Sequence, residues 1–162
     1  MMKHKIFTHI DEKYVFDNSS DKFIEDAIIS TLQHETVDVV CVINVLISDN
    51  DGIRSYNKEY RGIDKVTDVL SFPMQVFTKP GWSGCTDPEL DEDSGELPLG
   101  DIVISMERVE KQAVEYGNKV EYETAYLLIH SMLHLLGYDH DDEIDEKVMH
   151  SKTENILSSM SF

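Results

Sequence analysis

Basic residues are scarce in this sequence. Its 162 residues include 14 lysines and arginines against 32 aspartates and glutamates, which gives a formal net charge of −18 at pH 7. A protein that binds nucleic acid or an anionic membrane over a broad surface needs many cations to neutralise phosphates. The composition therefore excludes a generic binder of this kind, and any contact with RNA must use a local patch.

Cysteine and long apolar runs are also scarce. Cys41 and Cys85 are too few for a disulfide framework and are not spaced as a metal-binding pair. No apolar stretch approaches the roughly 20 residues of a membrane-spanning helix, and the first ten residues show no signal-peptide pattern. We therefore expect a cytoplasmic protein that makes no contact with membranes.

The length and the 41% hydrophobic content are typical of one globular domain, and we expect residues 1–162 to form it. Strand patterns alternate with helix patterns early in the chain and helices dominate late, which predicts an α+β fold with a small mixed sheet packed with helices. The apolar run from Val37 to Ile47 indicates a strand buried on both faces. Pro73 places the strand predicted at 66–74 at a sheet edge.

Residues 78–98 carry three prolines, three glycines and six acidic residues, with no hydrophobic period. This composition predicts an acidic surface loop. A solvent-exposed surface loop is the simpler interpretation of this segment, and an arm that binds a partner is the alternative.

Three histidines form the most informative motif of the sequence. His130 and His134 lie four residues apart on the strongest predicted helix, 121–136, and therefore share one face. Two imidazoles at this separation can converge on one ion at about 2.0–2.1 Å each. Gly137 can end the helix in a left-handed conformation, so that His140 returns as a third ligand. The spacing predicts a metal site.

The ligand set favours one zinc ion per chain. Three imidazoles suit zinc, nickel, copper or cobalt, and zinc is the commonest of these in such sites. Structural zinc sites are closed by four protein ligands, whereas three ligands and a free position are typical of catalytic zinc. Asp139 or Asp141 could fill the fourth position, although Asp141 fits better as the N-cap of the last predicted helix.

The spacing His-x3-His-x2-Gly-x2-His also occurs in metzincin proteases, which carry a glutamate general base directly after the first histidine. Ser131 occupies this position here. A serine hydroxyl cannot act as a carboxylate base near neutral pH, so the sequence argues against proteolysis by the usual route.

Three segments resemble the YbeY family of bacterial single-strand-specific endoribonucleases. They read NKEYRGIDKVTDVLSFP at 57–73, LGDIVIS at 99–105 and HSMLHLLGYDH at 130–140. The resemblance runs from about Val37 to the C-terminus. The sequence departs from the family in the longer, more acidic stretch at 78–98 and in Val66, where proline is usual.

The resemblance implies a zincin-like domain whose zinc-binding helix lies near the C-terminus, with zinc on His130, His134 and His140 and a functional arginine at Arg61. It implies cleavage of single-stranded RNA in ribosomal RNA maturation and ribosome quality control. The ribosome or its proteins are then the expected partners.

Arg61 suits this chemistry, because its planar guanidinium matches a phosphate and can oppose the charge that develops during phosphodiester cleavage. Helical spacing places it on one face with Arg54 and Lys58, in a basic patch that Lys65 extends. The alternative is a surface arginine stabilised at a helix C-terminus. Asp68 and Asp101, two acids within apolar strands, are expected to bond to backbone or to orient Arg61.

Two other functions stay open on the sequence alone. One is a zinc hydrolase of another class, a protease or an amidase. The other is a non-enzymatic ribosome-associated factor in which the metal holds the C-terminal helices together.

Overall fold

The structure of the protein is a computed structural model that describes residues 3–10 and 18–160. These residues form four strands, five α-helices and a short 3-10 helix at Trp82–Gly84. The strands are β1 (Lys5–Ile10), β2 (Cys41–Ser48), β3 (Val69–Pro73) and β4 (Leu97–Ser105). The helices are α1 (Asn18–His34), α2 (Asn50–Arg61), α3 (Met106–Tyr116), α4 (Val120–Leu135) and α5 (Glu143–Ser158). None of these helices is long and apolar enough to cross a membrane.

The sheet has the order β1-β2-β4-β3. The strands β1, β2 and β4 are parallel, and β3 runs antiparallel to β4. The predicted α+β class with a small mixed sheet is confirmed. Pro73 lies on the edge strand β3, as expected for a residue that cannot donate to a ladder. Leu97 begins β4, so the end of the predicted loop at 78–98 belongs to the sheet.

One face of the sheet carries the main core. Apolar residues of β2 and β4 pack there with α1, α3, α4 and α5. In β2, Cys41, Ile43, Val45 and Ile47 are fully buried on this face. The helix α4 packs against β3, β4, α1, α3 and α5, and it is buried on most sides. This central position fixes the helix that carries His130 and His134.

The other face of the sheet is only partly covered. Ile53 of α2 packs there against Leu70 and Val103. On this face the β2 side chains alternate with the buried ones and stay half-exposed. The prediction of a strand buried on both faces from Val37 was therefore wrong, because a single helix covers this side and the strand begins at Cys41.

The ends of α2 follow from its sequence. The carboxylate of Asp49 accepts a hydrogen bond from the Gly52 N–H (2.7 Å) at the start of the helix. Gly62 adopts φ 70° after the last helical residue; its N–H donates to the Lys58 carbonyl (3.1 Å), and the Ile63 N–H donates to the Asn57 carbonyl (3.2 Å). The helix thus ends at Arg61, as predicted, and delivers this side chain to the rim of a cleft.

The segment between β3 and β4 is anchored at both ends. Gln75 is buried, and its amide nitrogen donates to the Pro98 carbonyl (2.8 Å) while its amide oxygen accepts from the Glu89 N–H (3.0 Å). Gly81, Gly84 and Cys85 are buried as well. Five of the six acidic residues of the segment are exposed, and Glu96 is paired with Lys5 at 2.8 Å, so most of the charge of the segment faces solvent.

Candidate metal centre

Three imidazoles meet at the C-terminal end of α4. The Nε2 atoms of His130 and His134 are 3.1 Å apart. His140 returns from the following turn, and one nitrogen of each of the three rings lies within 4.8 Å of the others. The structure therefore brings together the three histidines that the sequence predicts as ligands.

The backbone after α4 orients His134. Its Nδ1 donates a hydrogen bond to the Tyr138 carbonyl (3.0 Å). Because the partner is a carbonyl, Nδ1 carries the proton and Nε2 keeps its lone pair. This lone pair is the one that faces His130, as in metal sites where a second partner fixes the tautomer of the ligand.

Gly137 makes the turn that brings the Tyr138 carbonyl back to His134. It adopts φ 89°, which L side chains rarely adopt, and a Cβ at this position would lie 2.6 Å from the Cβ of Phe77. The absence of a side chain therefore serves both the backbone conformation and the close contact with Phe77.

Gly137→Ala is expected to lower the free energy of unfolding by about 2–4 kcal/mol, from left-handed strain and from the clash with Phe77. Gly117→Ala is the matched control, because Gly117 has φ 68° and open space around it. This control should cost only about 1–2 kcal/mol. Urea unfolding of both variants measures the difference. Equal losses in the free energy of unfolding would show that the Phe77 side chain moves aside without an energetic cost.

The electrostatics of the cluster keep His130 neutral. The pKa of His130 is lowered to about 4, mainly by burial and also by the positive charges of His134 and His140, which together outweigh the opposing effect of Asp68. Burial is also the main cause that lowers the pKa of His134. Neutral imidazole is the form that binds metal, so at pH 7 no proton competes at these two rings.

The residues present fit a metal ion that takes nitrogen ligands. Two imidazoles bound at about 2.1 Å with a tetrahedral angle lie roughly 3.3–3.4 Å apart, close to the observed separation of 3.1 Å between His130 and His134. The Nδ1 atom of His130 is buried with no hydrogen-bond partner among the described residues. Ligation through Nε2 leaves this Nδ1 free of the metal, so the fit to a metal rests on the spacing and the lone pairs of the rings.

The three histidines line a cleft of about 810 Å³ between α4 and the end of α2 with β3. Arg61 also lines this cleft, and its positive charge contributes to lowering the pKa of His134. Cleft residues that the sequence reasoning did not single out include Tyr60, Thr67, Phe72 and Tyr126. Tyr60, Thr67 and Phe72 lie within the motif at 57–73, and Tyr126 lies one helical turn before His130.

The predicted basic patch is smaller than the sequence suggested. The guanidinium Nε of Arg54 bonds to the carboxylate of Asp64 at 2.8 Å, and both side chains are exposed. This ion pair neutralises one of the four cations of the predicted patch, because Asp64 comes close to Arg54 after the chain turns at Gly62. Arg61 lines the cleft, whereas Arg54 is not among the residues that do.

The acidic residues near the site have local partners. Asp68 accepts hydrogen bonds from the Val69 N–H (2.7 Å) and from the side-chain amide of Gln112 (3.3 Å), so its predicted backbone contact is confirmed. Asp101 accepts from the Asn44 amide (3.0 Å). Asp139 accepts from the His140 N–H (2.8 Å).

The N-cap of α5 is Asp142, whose carboxylate accepts from the Asp145 N–H (2.8 Å). The prediction that Asp141 caps this helix was wrong by one residue, because the turn after His140 is longer than expected.

Comparison with known proteins places the chain in a family. A family model described as endoribonuclease YbeY matches residues 6–161. The chain belongs to the endoribonuclease YbeY family. The match begins well before Val37, so the resemblance extends further toward the N-terminus than the motifs indicated. The predicted nuclease class is confirmed, because this family consists of named endoribonucleases.

Individual YbeY relatives cover nearly the whole chain. Endoribonuclease YbeY of Caldicellulosiruptor saccharolyticus is 48% identical over 92% of this chain and 92% of its own. That of Thermoanaerobacter sp. (strain X514) is 44% identical, covering 91% and 96%. The solution structure of TM1509 from Thermotoga maritima is similar with a TM-score of 0.57 and 27% identity, over 94% of this chain and 87% of that one.

In this YbeY-family chain, a buried ion pair supports the turn that orients His134. The carboxylate of Glu35, with its side chain 5% exposed, bonds to the Lys152 ammonium at 3.1 Å. Lys152 also lies 5.1 Å from the centre of the Tyr138 ring. Burial raises the pKa of Glu35, but hydrogen bonds from Tyr138, Lys152 and His34 and the charge of Lys152 outweigh burial and lower the pKa overall. Sequence reasoning missed this pair, because its members lie 117 residues apart.

Lys152→Met is expected to lower the free energy of unfolding by about 1–2 kcal/mol at pH 7, less than for a fully buried pair, because the Lys152 side chain is 28% exposed. A lowered pKa of Glu35 in the folded state stabilises the fold above the usual value of 4.5, and this contribution is lost as the pH falls below it. The difference from the unsubstituted protein should therefore shrink at pH 4. Urea unfolding at both pH values measures it, with Lys147→Met on the exposed side of α5 as control. A pH-independent difference would contradict the role of Glu35.

Proposed function

We propose that the protein is a zinc-dependent endoribonuclease that cleaves single-stranded RNA in ribosomal RNA maturation and ribosome quality control. The proposal rests mainly on one observation: three imidazoles converge in a cleft that Arg61 also lines. Membership of the endoribonuclease YbeY family supports the substrate class. Residues 1–162 then act as one zinc-dependent endoribonuclease domain of zincin-like architecture, with α4 as the zinc-binding helix.

His130, His134 and His140 would hold one zinc ion per chain. Bound zinc supplies Lewis-acid polarisation of a phosphoryl oxygen and activation of a water molecule. The chain contributes the orientation of the ligands, since the Tyr138 carbonyl fixes the tautomer of His134. Burial keeps His130 neutral, and therefore ready to bind, well below pH 7.

Arg61 is the proposed catalytic residue of the chain itself. Its exposed guanidinium stands at the end of α2 and can approach a phosphate in the cleft with two parallel N–H donors. This contact opposes the negative charge that develops on the phosphate during cleavage. Arg61 therefore both positions the scissile phosphate and stabilises the transition state.

The site is poorly suited to proteolysis. Ser131 is fully buried, and its hydroxyl is hydrogen-bonded to that of Ser71. The position that carries the general base in metzincin proteases thus presents no carboxylate to the cleft. A phosphodiester, whose charge matches Arg61, is the better substrate.

The net charge of −18 limits unaided affinity for RNA. We propose that the protein acts in the cytoplasm on ribosomal RNA presented by the ribosome or by ribosomal proteins, so that a partner supplies the cationic contacts that this surface lacks.

The experiment that tests the function compares end-labelled single-stranded RNA, the same RNA in a duplex, and casein, with metal content measured on the same preparation. Cleavage of the single strand only, lost on chelation and restored by about one equivalent of zinc per chain, is the expected result. Undiminished RNA cleavage by the metal-free protein, or hydrolysis of casein in place of RNA, would overturn the proposal.

A further inference from the structure

A second recess lies on the partly covered face of the sheet, beside α2. Its volume is about 560 Å³. Its floor is formed by the sheet, and one wall is aromatic. The residues that line it are His9, Asn44, Leu46, Tyr56, Tyr60, Phe72, Asp101, Ile102 and Val103. Neither the metal ligands nor Arg61 belong to it.

The recess and the catalytic cleft share a wall. Tyr60 and Phe72 line both of them. Tyr60 directly precedes Arg61 at the end of α2, and both residues line the catalytic cleft. An RNA strand with a phosphate at Arg61 therefore has a neighbouring base within reach of the recess.

The ring of Tyr60 is held in place although it is 62% exposed. It stacks on Tyr56 with a centroid distance of 6.1 Å and an interplanar angle of 11°. It also meets Phe72 at 5.6 Å and 70°, edge to face. Two aromatic neighbours thus fix an exposed π surface that the core does not require, which suits stacking of a planar ligand.

The charge of the recess selects a neutral occupant. Leu46 and Val103 make its floor largely apolar, and Asp101 is the acidic group that lines it, hydrogen-bonded to Asn44. A carboxylate in this position repels a phosphate but accepts hydrogen bonds from amino groups. The phosphate belongs on the Arg61 side of the shared wall, and an uncharged ring belongs in the recess.

We infer that the recess binds the nucleobase of a nucleotide that flanks the scissile phosphate, stacked on Tyr60. This inference rests on the proposed function in taking RNA as the ligand. Base–aromatic stacking tolerates any sequence, because every base has a π face. A paired base cannot leave its helix to enter the recess without losing its partner, so the recess adds a selection for single strands.

The test measures binding without cleavage. The probe is a 2′-O-methylated single-stranded octanucleotide that carries 2-aminopurine, and a fully abasic strand of the same length is the second probe. Dissociation constants are measured by anisotropy with the zinc-loaded protein and with Tyr60→Leu and Tyr60→Phe. Tyr116→Leu is the matched control, because Tyr116 is 65% exposed on α3 and lines neither cavity.

Tyr60→Leu is expected to weaken binding of the base-bearing strand by between about 5-fold and 100-fold. The same variant should change abasic binding by less than about twofold, and Tyr60→Phe should retain affinity for both strands. Quenching of 2-aminopurine by the unsubstituted protein should be lost in Tyr60→Leu only. Equal losses on both strands, or no loss on either, would overturn the inference. Because no cleavage is scored, absence of ribonuclease activity would refute the proposed function and leave this result standing.

Discussion

His134→Ala is expected to abolish RNA cleavage and to leave the purified protein nearly free of zinc. The substitution removes one of three converging imidazoles, the one whose Nε2 lies 3.1 Å from that of His130. A metal ion contributes several kcal/mol of charge stabilisation to phosphoryl transfer, so the cleavage rate should fall by about 10³-fold or more. Elemental analysis and RNA cleavage on the same preparation provide the measurement.

His150→Asn serves as the control, because His150 is exposed on α5 and is not part of the three-histidine group. It should keep about one zinc per chain and near-normal cleavage. A thermal melt of His134→Ala separates loss of metal from loss of the fold. Full zinc content in both His134→Ala and His130→Ala would refute the site.

Arg61→Ala should lower the cleavage rate by about 10²–10³-fold, the usual loss when one electrostatic stabiliser is removed. Arg61→Lys should also lose much of the activity, because a point charge cannot reproduce two parallel hydrogen bonds. Zinc content should not change in either variant. The side chain is exposed, so the free energy of unfolding should shift by no more than about 0.5 kcal/mol.

Arg54→Ala is the matched control for Arg61. It removes an arginine from the same helix, but one that is paired with Asp64 and does not line the cleft. Single-turnover cleavage, zinc content and a thermal melt are compared for the three variants. Normal cleavage by Arg61→Ala would exclude the residue from the active site, and a collapsed melting temperature would make its role structural.

The histidine arrangement is the part of the site that sequence reasoning predicts best. Helical periodicity alone places His130 and His134 on one face, and the left-handed preference of Gly137 returns the chain toward them. The end of α2 is predictable for the same kind of reason, since Gly62 is a local stop signal. These features depend on residues within about one or two helical turns of each other.

Features that depend on residues far apart in the sequence were either not predicted or predicted wrongly. The pairing of Arg54 with Asp64 depends on the path of the chain after Gly62, which composition does not reveal. The partner of Glu35 is Lys152, at the other end of the chain. The apolar run at Val37–Ile47 does not show how many helices cover the second face of the sheet, and therefore cannot show that this face is half-open.

The central position of α4 has a consequence for the protein as it leaves the ribosome. A nascent chain that ends before residue 120 already contains all four strands, but it lacks the helix that covers β3 and β4. Part of its apolar sheet face then stays uncovered, and such intermediates are prone to aggregate. His130 and His134 lie on α4 and His140 follows it, so a chain without this helix also lacks all three of the proposed metal ligands.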